Sequence, residues 1–270
     1  RFGGCDSLVP LQPLGRRTPL VLCHGAGGGL SHFLPLVRAL GGDVPVWGIL
    51  SRDFEGASRE DVTLEHLVRG YADEIERLLP RGPVNLGGLS LGGWFAWEIA
   101  RELRCRGYPI GTVILLDTHP RARLTWPRRL RLVPAEIETL LRAQVAWARS
   151  ISRGHLPRAV RRLLRRFGVP LEPLPPQADA MPIDPMVRLV GLHRTGSYGG
   201  RVDLVRADHP SRVLVPHWRA LAGSELRVHS FTCPHHQIHD RDRAVELAAT
   251  LRDILDDVER ARPPGEASGG

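Results

Sequence analysis

The stretch VNLGGLSLGGWFAWEIARELRCRG, Val84 to Gly107, changes its character halfway along. Val84 to Gly88 is short, apolar and ready to be buried on both faces, as a strand inside a parallel sheet is. From Leu91 the residues run out as a helix that stops at Gly107. Gly88-Leu89-Ser90-Leu91-Gly92 sits at the junction, a G-x-S-x-G spacing between a predicted strand and a predicted helix. A serine hydroxyl is a poor nucleophile until a base takes its proton and a sharp turn lifts it out of the sheet. Glycines two residues to either side let strand and helix close on that turn.

Working outward, the same rhythm recurs. Pro19 to Cys23 and Val44 to Ile49 read as strands, with a glycine turn and a helix through Leu40 between them. Thr63 is placed to cap a helix whose apolar residues Leu64, Leu67, Val68, Tyr71, Ile75, Leu78 and Leu79 recur at helical spacing. Thr112 to Leu116, Val202 to Val205 and Glu225 to Phe231 read as further strands, and Asp240 to Arg260 as a closing helix. Alternating strands and helices predict an α/β fold, a mostly parallel sheet with helices on both faces. Residues 120–200 break the rhythm, with many arginines and the proline cluster EPLPPQ, and are expected to form a helical lid insertion over the carboxyl edge of the sheet. The domain is expected to run over 7–260, with 261–270 as a flexible tail.

Composition removes several chemistries. All 37 basic residues are arginine, so there is no lysine for a phosphate-cradling loop, a Schiff base or a kinase site. The net charge of +8 is concentrated: Pro120 to Pro170 holds thirteen arginines against Glu136 and Glu138. Arg161-Arg162 and Arg165-Arg166 alternate with apolar residues as in an amphipathic helix, a face suited to an acidic protein or a phosphate. Aromatic interleaving is sparse and no recognition motif is present, so nucleic acid is not the expected partner. The four cysteines form no CxxC pair, the start RFGGCDS is not a signal peptide, and no apolar run is long enough to span a membrane. A reduced cytoplasmic protein, without membrane contact and monomeric, is the expectation.

A nucleophile elbow calls for partners. His24 to Gly29, HGAGGG, follows the first predicted strand and suits an oxyanion loop, so the amides of Leu91 and Ala26 are the candidate oxyanion donors. The base is expected after the last strand, where His235, His236 and His239 cluster. No cysteine pair or HExxH pattern completes a zinc site there, and no metal is expected. Two acids are open: Asp117, ending VILLD, and Asp208, after VDLV. Either could orient an imidazole.

Three segments together, SLVPLQPLGRRTPLVLCHGAGGG, GGLSLGGWFAWEIARELRCRGYPIGTVILLDTHP and VHSFTCPHHQIHD, resemble the type I thioesterase domain that ends non-ribosomal peptide synthetases and polyketide synthases. The resemblance runs from Ser7 to the closing helix and is weakest between about 120 and 200. It implies an α/β-hydrolase fold with Ser90 as nucleophile and Asp117 as acid, whereas free-standing type II editing thioesterases would place the acid at Asp208. In the family the base commonly follows a Gly-Asp pair. Here Pro234-His235 stands in that place, which leaves His236 as the implied base and His235 as the alternative. The implied activity is chain release, by hydrolysis or macrocyclisation, from the phosphopantetheine arm of a carrier protein, with no bound cofactor. A soluble carboxylesterase with the same triad is the competing reading.

Overall fold

A computed structural model describes residues 7–25, 28–51, 63–79, 82–119, 190, 193, 195–208 and 214–261, apart from the side chain of His236. The chain divides into two compact units, 1–121 with 186–270, and 122–185. The second unit lies outside the described residues. So do almost all of the stretch expected to be a lid, including its paired arginines, and nearly all of the expected tail.

The first unit is built on a seven-stranded sheet: β1 (Leu8–Gln12), β2 (Leu20–Cys23), β3 (Val46–Ile49), β4 (Val84–Leu89), β5 (Ile110–Leu116), β6 (Val202–Ala207) and β7 (Leu226–Phe231). Their spatial order is β1-β3-β2-β4-β5-β6-β7. Only β1 runs antiparallel to its neighbour; every other pairing is parallel. The described helices are α1 (Leu34–Leu40), α2 (Leu64–Leu78), α3 (Leu91–Cys105), α4 (Leu214–Ala222) and α5 (Ala244–Arg260).

Period-two alternation along the central strands divides the core into two layers. Val21, Cys23, Leu86, Val113 and Leu115 point to one face and pack with the buried faces of α2, α3 and α4. Leu20, Leu22, Ile114 and Leu116 point to the other and pack with α1 and α5. Thr63 caps α2 as the sequence predicts, its Oγ1 accepting from His66 N at 3.2 Å. Two elements go beyond the sequence reading. β1 carries Pro10, a residue that argues against a central strand; the structure accommodates it on the sheet's edge, with a register shift between Pro10 and Gln12. Helix α4 buries Leu214, Trp218 and Ala222, and Trp218 proves to hold the site in place.

Parallel strands bring their carboxyl ends to one edge. Ser90 follows β4 and Asp117 follows the neighbouring β5, with Leu89 and Leu116 in register. His235 lies four residues beyond the end of β7. Residues separated widely in sequence are thereby delivered to a common rim, the place where open α/β sheets put their sites.

Candidate active site

Ser90 has φ 53° and ψ −111°, a strained turn between β4 and α3. Its amide donates to Leu116 O at 2.9 Å, fixing the elbow to the neighbouring strand. The glycines around it are required by contact. A Cβ on Gly88 would collide with the backbone of Gly92, and one on Gly92 would meet Cys23 O at 2.5 Å. A Cβ on Gly93 would collide with Thr118, the residue after Asp117. The elbow is therefore pressed against the ends of both β2 and β5.

Asp117 is the other non-glycine residue of positive φ, at 42°, among the described residues. Backbone strain of this kind costs of order 1–3 kcal/mol and persists only where the surroundings hold it. The surroundings here are specific. Asp117 N donates to Val205 O at 2.8 Å, and its Oδ1 accepts from Ala207 N at 3.1 Å. The next two carbonyls are held by tryptophan indoles: Trp218 Nε1 donates to Thr118 O at 2.7 Å and Trp94 Nε1 to His119 O at 3.0 Å.

The remaining oxygen of this fully buried carboxylate, Oδ2, faces two imidazoles. His235 Nδ1 lies at 2.6 Å and His119 Nε2 at 3.3 Å. Burial alone raises the carboxyl's pKa, but the hydrogen bonds and charges of His119 and His235 outweigh it and hold Asp117 well below the usual carboxylate range. An ionised carboxylate only accepts, so His235 Nδ1 carries the shared proton and the lone pair of neutral His235 is on Nε2. That is the tautomer a general base needs.

Of the implied base His236 and its alternative His235, it is His235 that makes a contact with Asp117; the side chain of His236 lies outside the described residues. Pro234, extended at ψ 153°, opens the short turn His235–Gln237 directly on His235. Asp208 goes elsewhere: it is exposed, and its amide donates to Cys233 O at 2.8 Å. His239 packs edge-on against His32. Leu91, whose amide is the candidate oxyanion donor, is the first residue of α3. The second candidate, Ala26, lies outside the described residues. Two residues before it, buried His24 has its Nδ1 2.9 Å from Gly25 O and its Nε2 3.3 Å from Tyr71 Oη. His119, Trp94 and Trp218 were not identified from sequence as parts of the site. LLDTHP displays a histidine two residues after the acid, but nothing local marks the two indole donors.

Known proteins with this architecture supply a family. The family model described as a thioesterase domain matches residues 18–255. A dimodular nonribosomal peptide synthase of Bacillus subtilis (strain 168) is 31% identical over 115 residues, 43% of this chain and 5% of the relative. Malpibaldin synthetase of Mortierella alpina is 34% identical over 112 residues, 41% of this chain and 2% of the relative. An inactive atromentin synthetase of Paxillus involutus is 31% identical over 115 residues, 43% of this chain and 12% of the relative. The matched stretch is thus a small part of each of these relatives. Among solved structures, the NocB thioesterase domain in covalent complex with a fluorophosphonate nocardicin G analogue superposes with TM-score 0.62 at 23% identity, over 92% of this chain and 99% of the other. A four-domain nonribosomal peptide synthetase, holo-AB3403, superposes with TM-score 0.63 at 21% identity, over 92% of this chain and 20% of the other. A seven-stranded, largely parallel sheet of the α/β-hydrolase kind, with a family match spanning most of its length, makes this chain a member of the thioesterase domain family.

Proposed function

We propose that the chain releases an acyl or peptidyl product from the phosphopantetheine thioester of a carrier protein, using Ser90, His235 and Asp117. The observation that carries this reading is the 2.6 Å contact between His235 and Asp117 at the same sheet edge as the strained Ser90. His235 Nε2 takes the Ser90 hydroxyl proton as Oγ attacks the thioester carbonyl. The amides of Leu91 and Ala26 receive the developing oxyanion. When the C–S bond breaks, His235 returns its proton to the departing sulfur, leaving an ester on Ser90. The base then activates water or a nucleophile within the chain itself, and attack on the ester restores the serine and frees an acid or a ring.

Two further observations support chain release, the first over editing and the second over soluble ester hydrolysis. The acid on the histidine is Asp117, the type I position, rather than Asp208. The dimodular peptide synthase and malpibaldin synthetase carry the matched stretch within much longer chains, which suits a domain supplied by an attached carrier protein. No helix of the described residues is long and apolar enough to cross a membrane. The test compares one acyl group presented as a pantetheine thioester, as the matching oxoester and on a phosphopantetheinylated carrier protein. Thioester turnover is expected to exceed oxoester turnover, with carrier-borne substrate best. An oxoester preference would instead identify a carboxylesterase.

A further inference from the structure

The Asp117 carboxylate serves two imidazoles, and only one is used in the chemistry above. His119 Nε2, His235 Nδ1 and a carboxylate oxygen of Asp117 all lie within 4.8 Å of one another. Two imidazoles and a carboxylate form a donor set suited to zinc. The ions that match it bind at about 2.0–2.2 Å, which sets tetrahedral ligand atoms roughly 3.4 Å apart. The 3.3 Å between His119 Nε2 and Asp117 Oδ2 already has that spacing, while the 2.6 Å between His235 Nδ1 and Asp117 Oδ2 is a hydrogen bond that an ion would replace.

Access and support are both present. The side chains of His119 and His235 are 24% and 22% exposed, whereas Asp117 is fully buried. Both imidazoles are thus partly open to solvent. The carboxylate beneath them is fixed by Ala207 N through its other oxygen, and the backbone that carries His119 is fixed by Trp94. The three donors stand on two separate segments of backbone: 117–119 is tied to β6 through Asp117 N and Val205 O, and the turn holding His235 follows Cys233, whose carbonyl accepts from Asp208 N.

We infer that Asp117, His119 and His235 form an inhibitory site for a borderline divalent transition-metal ion of the Zn²⁺ class, with water completing its coordination. The site is made from the resting acid–base pair, so metal and turnover exclude each other. Coordination takes the Nδ1 lone pair of His235, and the ring proton shifts to Nε2 through solvent with no change in the ring's charge. Nε2 then presents N–H instead of a lone pair and has nowhere to put the Ser90 proton. His119 supplies the extra donor that separates this site from an ordinary serine-hydrolase pair.

The effect on turnover rests on His235 being the base; the binding does not, so two readouts are needed. With the full chain stripped by chelator, Zn²⁺ is titrated against hydrolysis of a soluble acyl thioester. Native protein is expected to be inhibited at one equivalent per chain. His119→Gln and His119→Asn are expected to raise the inhibition constant at least about tenfold relative to their own metal-free rates, since even the outer partners of metal ligands matter that much. His239→Gln should keep the native constant. Co²⁺ binding to Ser90→Ala protein is followed separately by its visible absorption. One equivalent with a tetrahedral spectrum, lost when His119→Gln is added, is expected even if the protein turns over no thioester. Equal Zn²⁺ inhibition of native and both His119 variants, or Co²⁺ bands indifferent to His119, would overturn the proposal.

Discussion

His235→Gln is expected to reduce kcat/KM on an acyl thioester by about a thousandfold to ten-thousandfold, the scale on which a hydrolytic triad fails when its histidine–acid unit is broken. His236→Gln should stay within a few-fold of the native rate. The two residues are neighbours in one short turn, so loss of fold would affect both alike, and the contrast is informative. Its physical basis is that the buried carboxylate of Asp117 receives Nδ1 of His235. Glutamine at 235 can still donate to that carboxylate, but it has no group able to accept the Ser90 proton and return it. A large loss at His236 with a small one at His235 would move the base by one residue and leave Asp117 orienting a bystander.

Asp117→Asn is the second large effect. An amide presents both a donor and an acceptor to an imidazole that needs only an acceptor, so the ring settles in the wrong tautomer. A loss of about ten-thousandfold in kcat is expected, by analogy with the same exchange in the serine-protease triad. Asp208→Asn, in an exposed position, should leave the rate nearly unchanged. Stability gives an independent check. Because the folded protein holds Asp117 below its ordinary carboxylate range, the ionised form contributes stability that is complete above the unfolded-state value of about 3.9. That contribution disappears as pH falls through the lower folded value. The thermal penalty of Asp117→Asn, measured by calorimetry, should accordingly be greatest near neutral pH and shrink in strong acid. A penalty that grew on acidification would contradict the assignment.

These residues show which parts of the molecule were open to sequence reasoning. The tight turn at Ser90 was legible because its geometry is local: strand, turn and helix are contiguous, and Gly88 and Gly92 mark the close approach. The mostly apolar runs of β2, β4 and β5, set between helical patterns, likewise disclosed a sheet covered on both faces. The contact of His235 with Asp117 was harder to foresee, because it depends on a turn geometry opened by Pro234 and on a carboxylate more than a hundred residues earlier. The same limitation applies to the indoles of Trp94 and Trp218. Either looks like core packing in sequence, and only the folded chain shows their N–H groups holding the carbonyls after Asp117. Pro10 concealed β1 for a related reason, since edge and central strands differ in neighbours the local sequence does not display.

Backbone strain unites the two residues on which the proposed chemistry depends. Ser90 and Asp117 both adopt positive φ, and they end adjacent parallel strands. Each is restrained by backbone hydrogen bonds to the next strand: Ser90 N to Leu116 O, and Asp117 N to Val205 O. The sheet thus bears the cost of two unfavourable conformations at its rim, one at the serine and one at the buried aspartate. Gly93 couples them, because any side chain there would displace Thr118 and with it the acid.

The most direct test of Ser90 as the nucleophile is peptide mapping after reaction with an alkyl fluorophosphonate. One covalent phosphonyl group per chain is expected, carried on the peptide containing Ser90, with none on Ser90→Ala protein treated in parallel. Stoichiometric modification of the alanine variant, or an adduct mapped to another side chain of the native protein, would contradict the account at its centre.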